Sequence, residues 1–113
     1  MTNHEYHIDR VFYALSDSTR RAVLAKLSDA PTSVSQLAEP FEMALPSFLQ
    51  HLKVLEECGL ATSQKTGRTR TYQLAPEPLM AAENWLMDKR RIWEARLNQL
   101  DNYLLSLKDN DHA

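Results

Sequence analysis

The last part of the chain carries a row of large apolar residues that is too long for a small domain to bury. The row is Leu79, Leu86, Trp93, Leu97, Leu100, Leu104 and Leu107. The spacing of these residues places their side chains on one face of an α-helix. The row is interrupted at Lys89 and Arg90. A helix over 77–107 would be about 45 Å long, whereas a domain of this size has a radius of gyration of about 13 Å. The face therefore needs a partner.

A second copy of the chain is the simplest partner, because small oligomers are most often two-fold homodimers. We predict a homodimer that forms through this helix and the N-terminal helix. The residues expected to make the contacts are Leu86, Trp93, Leu97, Leu100 and Leu104. A cleft lined by residues such as Trp85, Met87 or Trp93 could also bind a small-molecule effector, although such side chains more often belong to a core.

Length and composition indicate one folded domain. The chain has 113 residues, of which 43% are apolar and 25% charged, ordinary values for a globular protein with a single core. We divide it into a body over 8–76, a dimerisation helix over 77–107 and a tail over 108–113. The single cysteine, Cys58, fits a reducing compartment. Since no signal segment is visible and no apolar run approaches the ~20 residues of a membrane span, we expect a cytoplasmic protein without membrane contact.

Capping signals divide the body into four short helices. A first row of apolar residues ends at an oxygen-rich cluster over 16–19, and a second helix follows over about 19–27. Ser33 and Gln36 have the spacing of a capping box and begin a third helix. Pro46 suits the first turn of a fourth helix over 45–58, and Gly59 suits its end. Two short helices joined by a tight turn and ended by glycine are a helix-turn-helix candidate.

The segment after Gly59 has the pattern of a β-hairpin. Residues 60–64 and 70–74 are rich in threonine and alternate polar with apolar residues, and Gly67 lies between them. The element order predicts a mainly α fold with a small β-hairpin, a winged helix-turn-helix of order α-α-α-α-β-β-α.

Charge is distributed unevenly. The net charge is −2, from 13 Lys and Arg against 15 Asp and Glu, which excludes a bulk positive field. No Asp or Glu occurs between Cys58 and Glu77, whereas Lys65, Arg68 and Arg70 surround the predicted hairpin tip. A basic tip on an acid-free hairpin suits contact with phosphate, although exposed turns are often charged for no functional reason.

The fourth helix is amphipathic in a way that suits the major groove of DNA. A helical wheel gathers Leu45, Phe48, Leu49, Leu52 and Leu55 on an inner side. Ser47, Gln50, Lys53 and Val54 fall outside, with His51 on the flank. Gln can bond adenine, Ser can bond several bases, and Val can touch a thymine methyl.

We therefore expect the fourth helix to enter the major groove and the wing over 60–75 to contact the backbone. The residues predicted to bind double-stranded DNA are Ser47, Gln50, His51, Lys53, Lys65, Arg68 and Arg70.

Four stretches in order resemble the signatures of ArsR-type winged-helix transcriptional regulators. They are Ala14–Arg21, Ser33–Ala38, His51–Leu60 and Lys65–Tyr72. The resemblance covers about residues 8–107 and implies a dimeric winged helix that binds an imperfect inverted repeat, usually as a repressor. The stretch from Trp85 to Leu100 is similar to a subgroup that does not sense metals.

The metal sites of that family find no counterpart in this sequence. Paired cysteines in the third helix are one such site, and here Val34, Ser35 and Gln36 offer no thiolate. Histidine and carboxylate ligands in the last helix are another, and residues 78–107 contain no histidine. Neither metal site of that family can be assembled from these residues, so we expect no metal and no cofactor.

Several alternatives stay open. A winged-helix fold could serve as a protein-interaction module that uses the surface of Leu49 and Val54. Cys58 could sense redox state or fill the core. Arg20 and Arg21, at a helix N-terminus, could meet a phosphate or an internal partner. A metal site could form from the terminal residues His4, Glu5, His7, Asp109, Asp111 and His112. No set of residues for an enzyme active site can be named.

Overall fold

The computed structural model describes residues 3–111, with side chains described for 8–109. Over these residues five helices and three strands follow one another. They are α1 (Asn3–Leu15), α2 (Ser18–Asp29), β1 (Thr32–Ser33), α3 (Val34–Ala38), α4 (Leu45–Glu57), β2 (Ala61–Thr66), β3 (Thr69–Leu74) and α5 (Glu77–Asp111). The predicted mainly helical winged helix-turn-helix with a small antiparallel hairpin and a long last helix is confirmed.

Local capping interactions fix the helix boundaries. The Asp17 side chain accepts a hydrogen bond from the Arg20 amide at the start of α2. Ser33 and Gln36 form the predicted capping box at the start of α3. Gly59 follows α4 with φ +82°, the left-handed conformation that glycine adopts most readily. These signals are local, which is why the sequence predicts them.

The sheet has three antiparallel strands in the order β1-β3-β2. The hairpin is longer than predicted, because pairing runs from Ala61↔Leu74 to Thr66↔Thr69 and leaves a two-residue turn at Gly67 and Arg68. Threonine favours extended backbone, so the strands continue almost to the turn. The short strand β1, which the sequence analysis did not predict, pairs with β3 through Thr32↔Tyr72 and Ser33↔Thr71.

One hydrophobic core joins the helices to the hairpin. Val11 and Ala14 of α1 are fully buried, and Tyr72 and Ala82 bring in β3 and the start of α5. In α2 the buried apolar residues are Val23, Leu24 and Leu27. Phe12 and Leu15, from the predicted row on α1, pack against the core from its edge.

The predicted orientation of α4 is wrong at three positions. Phe48, Leu52 and Leu55 are at most 1% exposed, as expected. Leu45 and Leu49, however, are 54% and 41% exposed instead of facing inward. Val54, expected outside, is half-buried and packs against the core. The buried face is therefore centred nearer His51 and Val54 than the wheel suggests.

The helix α5 is one continuous segment of 35 residues. It reaches Asp111, so residues 108–111, expected as a tail, are helical, and His112 lies outside the described residues. The described chain forms two compact units, with the boundary between Ala82 and Glu83. None of the helices among the described residues is long and apolar enough to cross a membrane. The division into a DNA-binding body over 8–76 and a dimerisation helix over 77–107 stays a prediction.

Candidate nucleic-acid interface

The solvent-facing side of α4 carries the polar residues that the sequence analysis placed there. Ser47, Gln50 and Lys53 are all exposed. Lys53 Nζ lies 3.9 Å from Glu57 Oε1 one turn later, and both side chains are largely solvated. Such an exposed ion pair contributes less than about 1 kcal/mol, so Lys53 can exchange it for a phosphate at little cost.

His51 lies at the edge of α4 and is half-buried. Its Nδ1 is 3.0 Å from Arg20 Nη1 and 3.6 Å from Asp17 Oδ2. Because arginine can only donate hydrogen bonds, Nδ1 acts as the acceptor, and the proton of the neutral ring is on Nε2. His51 is therefore a packing residue that keeps one N–H donor, rather than a freely exposed contact.

Arg20 lies between the end of α1 and α4 and forms hydrogen bonds with both. Only 6% exposed, it donates from Nε to the Ala14 carbonyl at 2.8 Å and from Nη2 to the Tyr13 carbonyl at 3.1 Å. With its bond to His51, one guanidinium joins the end of α1 to α4. Of the two predicted alternatives for Arg20, the structure shows internal partners.

Asp17 completes this junction. Burial raises the pKa of Asp17, but the amide hydrogen bond from Arg20 and the electrostatic interactions with His51 and the Arg20 guanidinium outweigh it, and the net pKa is lowered. The carboxylate is therefore favoured in its charged form where α2 begins.

The hairpin carries its charges on one face. Cross-strand pairing places Lys65 directly opposite Arg70, and Ser63 opposite Tyr72, two residues nearer the core. Arg70 Nη1 donates to Ser63 Oγ at 2.9 Å. Like charges directly opposite each other destabilise a sheet, so an anion bound between Lys65 and Arg70 would relieve their repulsion. Arg68 is exposed in the turn itself.

The opposite face of the hairpin has no charged side chain along the described strands. Its cross-strand pairs are Thr62↔Gln73, Gln64↔Thr71 and Thr66↔Thr69. The cationic face is thus the one that also carries Tyr72, which is buried against the core. Burial and the neighbouring Glu56 carboxylate raise the pKa of Tyr72 to about 12, so its hydroxyl stays protonated at neutral pH.

A groove of about 480 Å³ separates α4 from β3. Its walls are Leu49, Lys53, Glu56, Glu57, Arg70 and Tyr72. The polar side of α4 and the cationic face of the hairpin therefore border the same concave surface. Of the residues predicted to bind DNA, Lys53 and Arg70 line this groove, and Leu49, expected in the core because the helical wheel placed every leucine of α4 there, lines it as well.

The residues predicted for dimer contacts all lie on α5 with their side chains exposed. We call Leu86, Trp93, Leu97, Leu100 and Leu104 the leucine stripe, and they are between 51% and 63% exposed in the single chain. Trp85 and Met87 are also exposed, so the suggestion that these residues belong to a core is wrong. The leucine stripe is an apolar surface without an occupant in one chain.

Two further candidates can be placed. Cys58 is buried, its thiol donates to the Leu55 carbonyl at 3.3 Å, and burial raises its pKa, all of which suits a core residue. The side chains His4, Glu5, His7, Asp111 and His112 of the suggested terminal metal site lie outside the described side chains. Within the part of the chain that the structure describes, no group of three or more His, Cys, Asp or Glu residues could hold a metal ion.

Known proteins are similar to this chain over the region that contains α4 and the start of the hairpin. A family model described as a helix-turn-helix domain matches residues 15–64, from the end of α1 into β2. The chain is 38% identical over 89 residues to the HTH-type transcriptional regulator Rv2034 of Mycobacterium tuberculosis, covering 79% of this chain and 80% of that protein.

Two more proteins are similar over most of their length. The transcriptional repressor SdpR of Bacillus subtilis is 30% identical over 81 residues, covering 72% of this chain and 90% of SdpR. A crystal structure of an ArsR family transcriptional regulator, RHA00566, has a TM-score of 0.78 and 46% identity, and the match covers 83% of this chain and 97% of that one.

Proposed function

This chain belongs to the ArsR family of helix-turn-helix transcriptional regulators, and we propose that it acts as a dimeric repressor on an imperfect inverted repeat. The family consists of DNA-binding regulators and not of enzymes. In the proposed complex α4 enters the major groove and the β2–β3 hairpin contacts the adjacent backbone. Such a regulator would act in the cytoplasm, where it meets its operator.

The observation that carries this proposal is the shared groove between α4 and the hairpin. Gln50 and Ser47, exposed on α4, offer groups that bond base edges, and Lys65 and Arg70 form a cationic pair on the hairpin, with Arg70 lining the groove. Lys53, which lines the groove, and Arg68, in the hairpin turn, add two more exposed cations. The Nε2–H of His51 is the remaining donor of the predicted set.

The leucine stripe supports the proposed dimer. A monomer rarely exposes a continuous row of large apolar side chains, and a two-fold copy of the same helix would cover it. Ala82, buried at the start of α5, lies on the same helical face as Leu100 at 100° per residue. Ala82 and the leucine stripe therefore share one face of α5.

We also propose that the signal for this regulator is not a metal. The third helix carries Val34, Ser35 and Gln36 in place of thiolates, and residues 78–107 lack histidine. A small-molecule effector remains part of the proposal, and we expect Trp85 and Trp93 to contact it. Adding Zn²⁺ or Ni²⁺ to the purified protein should leave its DNA affinity unchanged, and a tenfold change would contradict this assignment.

Selection of bound duplexes from random DNA with the purified full chain tests the function. We expect two half-sites one helical turn apart, ~34 Å between centres. Arg68→Ala and Arg70→Ala should weaken all duplexes alike and lower the salt slope by about one, whereas Gln50→Ala should erode sequence preference. Arg90→Ala, which removes an exposed cation of α5, is the control. Binding that does not depend on salt would overturn the proposal.

A protein-interaction module is the second candidate, favoured by one observation. Leu45 and Leu49 are exposed next to the polar face of α4. Val54, the other residue first assigned to such a surface, is half-buried, which weakens this candidate. No selected DNA sequence, together with a stable co-purifying protein whose binding Leu49→Ala abolishes, would favour this function over DNA binding.

A further inference from the structure

We propose that Leu49 determines part of the sequence specificity by contacting the 5-methyl group of a thymine in the major groove. This inference rests on the proposed DNA-binding function and adds to it a residue that was expected to lie in the core.

Leu49 lies on the exposed side of α4. It is 41% exposed in the middle of α4, although Leu52, three residues later, is fully buried. Leu45, one turn earlier, is 54% exposed on the same side. We call Leu45 and Leu49 the apolar edge of α4. The apolar edge therefore offers a small apolar surface next to the polar groups of α4.

Charged and polar residues surround the apolar edge of α4. Gln50 is the next residue on α4, Lys53 lies one turn further on, and Arg70 faces Leu49 across the groove. Glu56 and Glu57 also line the groove, and Glu57 Oε1 lies 3.9 Å from Lys53 Nζ. Lys65 and Arg68 add two exposed cations to Arg70 on a hairpin without acidic residues, so the hairpin side of the groove is cationic, which favours a polyanionic duplex over an apolar protein surface.

A DNA duplex offers an apolar group to a leucine in its major groove. On the base edges of the major groove, the thymine methyl is the apolar group, and apolar side chains contact it. Val54, to which the sequence analysis assigned this contact, packs against the core instead. Leu49 is an exposed aliphatic side chain beside Gln50, so a thymine next to the base contacted by Gln50 is its expected target.

The experiment replaces single thymines by deoxyuridine in the operator obtained by selection. Uracil pairs as thymine does but lacks the methyl group, so the substitution removes the proposed contact and no hydrogen bond. With the wild-type chain we expect one thymine of a half-site to lose about fourfold in affinity, the equivalent of about 0.8 kcal/mol for one buried methyl group. Leu49→Ala should bind the thymine and uracil duplexes equally well.

Leu45→Ala is the matched control, because it removes an equally exposed leucine one turn away and should keep the fourfold difference at that thymine. Retention of the difference in Leu49→Ala, or a wild-type chain insensitive to uracil at every position, overturns the inference while leaving the DNA-binding function in place. Failure to select any preferred sequence overturns both. The wild-type measurements do not depend on any variant, and a urea melt of Leu49→Ala checks that it folds.

Discussion

Helices α4 and α5 both carry large apolar residues at helical spacing, and the chain treats them in opposite ways. In α4, Phe48, Leu52 and Leu55 are covered by the body. In α5, the leucine stripe is exposed in the single chain. Polar contacts show the same difference, since His51 of α4 bonds Arg20 of α2, whereas the ion pairs of α5 join residues of the same helix three or four apart.

The comparison shows that a leucine pattern indicates an apolar contact without indicating which surface provides it. For α4 the contact is intramolecular, so its leucines contribute to the folding of one chain. For α5 we propose a second copy, so its leucines contribute to association and their effect depends on protein concentration. Substitutions in the two helices should therefore change different measured quantities.

Leu52→Ala should have the largest effect on stability. Leu52 is fully buried, and removing a buried leucine side chain leaves a cavity that costs about 2–5 kcal/mol in the free energy of unfolding. Urea denaturation monitored by circular dichroism measures it. Leu49→Ala on the same helix is the matched control and should stay within about 0.5 kcal/mol of wild type. Equal losses for the two variants would contradict the observed orientation of α4.

Leu100→Glu should come next, and its effect should appear in association. A carboxylate placed in an apolar dimer contact must lose its hydration, so we expect the dimer dissociation constant to rise at least about 100-fold, or about 2.7 kcal/mol. Sedimentation velocity measures this constant. Leu105→Glu is the control, because Leu105 is similarly exposed but lies about 140° around the helix from Leu100. If both variants dissociate alike, the leucine stripe is not the contact.

The same two helices show what sequence reasoning can and cannot supply. Pro46, Gly59 and the Ser33–Gln36 capping box act locally, and the elements that they bound were predicted. The orientation of α4 was not, because it depends on Arg20 and on the packing of α1 and α2 near His51 and Val54, contacts distant in sequence. Strand β1 was missed because two residues carry no periodicity, and it is defined only by its pairing with β3.

Arg20→Lys tests whether the polar junction holds α4 as the core does. Lysine keeps the charge, but its compact ammonium group cannot match the fork with which Arg20 bonds Ala14, Tyr13 and His51. We expect a loss of about 2 kcal/mol in the free energy of unfolding. The exposed Arg21, which donates to the Leu15 carbonyl at 2.7 Å, is the control, and Arg21→Lys should change stability by less than about 0.5 kcal/mol. Equal stability of the two variants would remove Arg20 from the account.

Asp17→Asn should have the smallest effect, and pH should reveal it. Asparagine preserves the capping oxygen at the start of α2 but removes the charge beside Arg20 and His51. Because the pKa of Asp17 is lowered from 3.8 by folding, its ionised form contributes stability that is fully present above pH 3.8 and lost as the pH falls through the lowered value. At pH 7 we expect the variant to be less stable by under about 1 kcal/mol, as for other partly exposed charges. Urea midpoints of both proteins should converge as the pH falls below this range, and a gap that stays constant with pH would show that the carboxylate charge contributes nothing to holding α2 against α4.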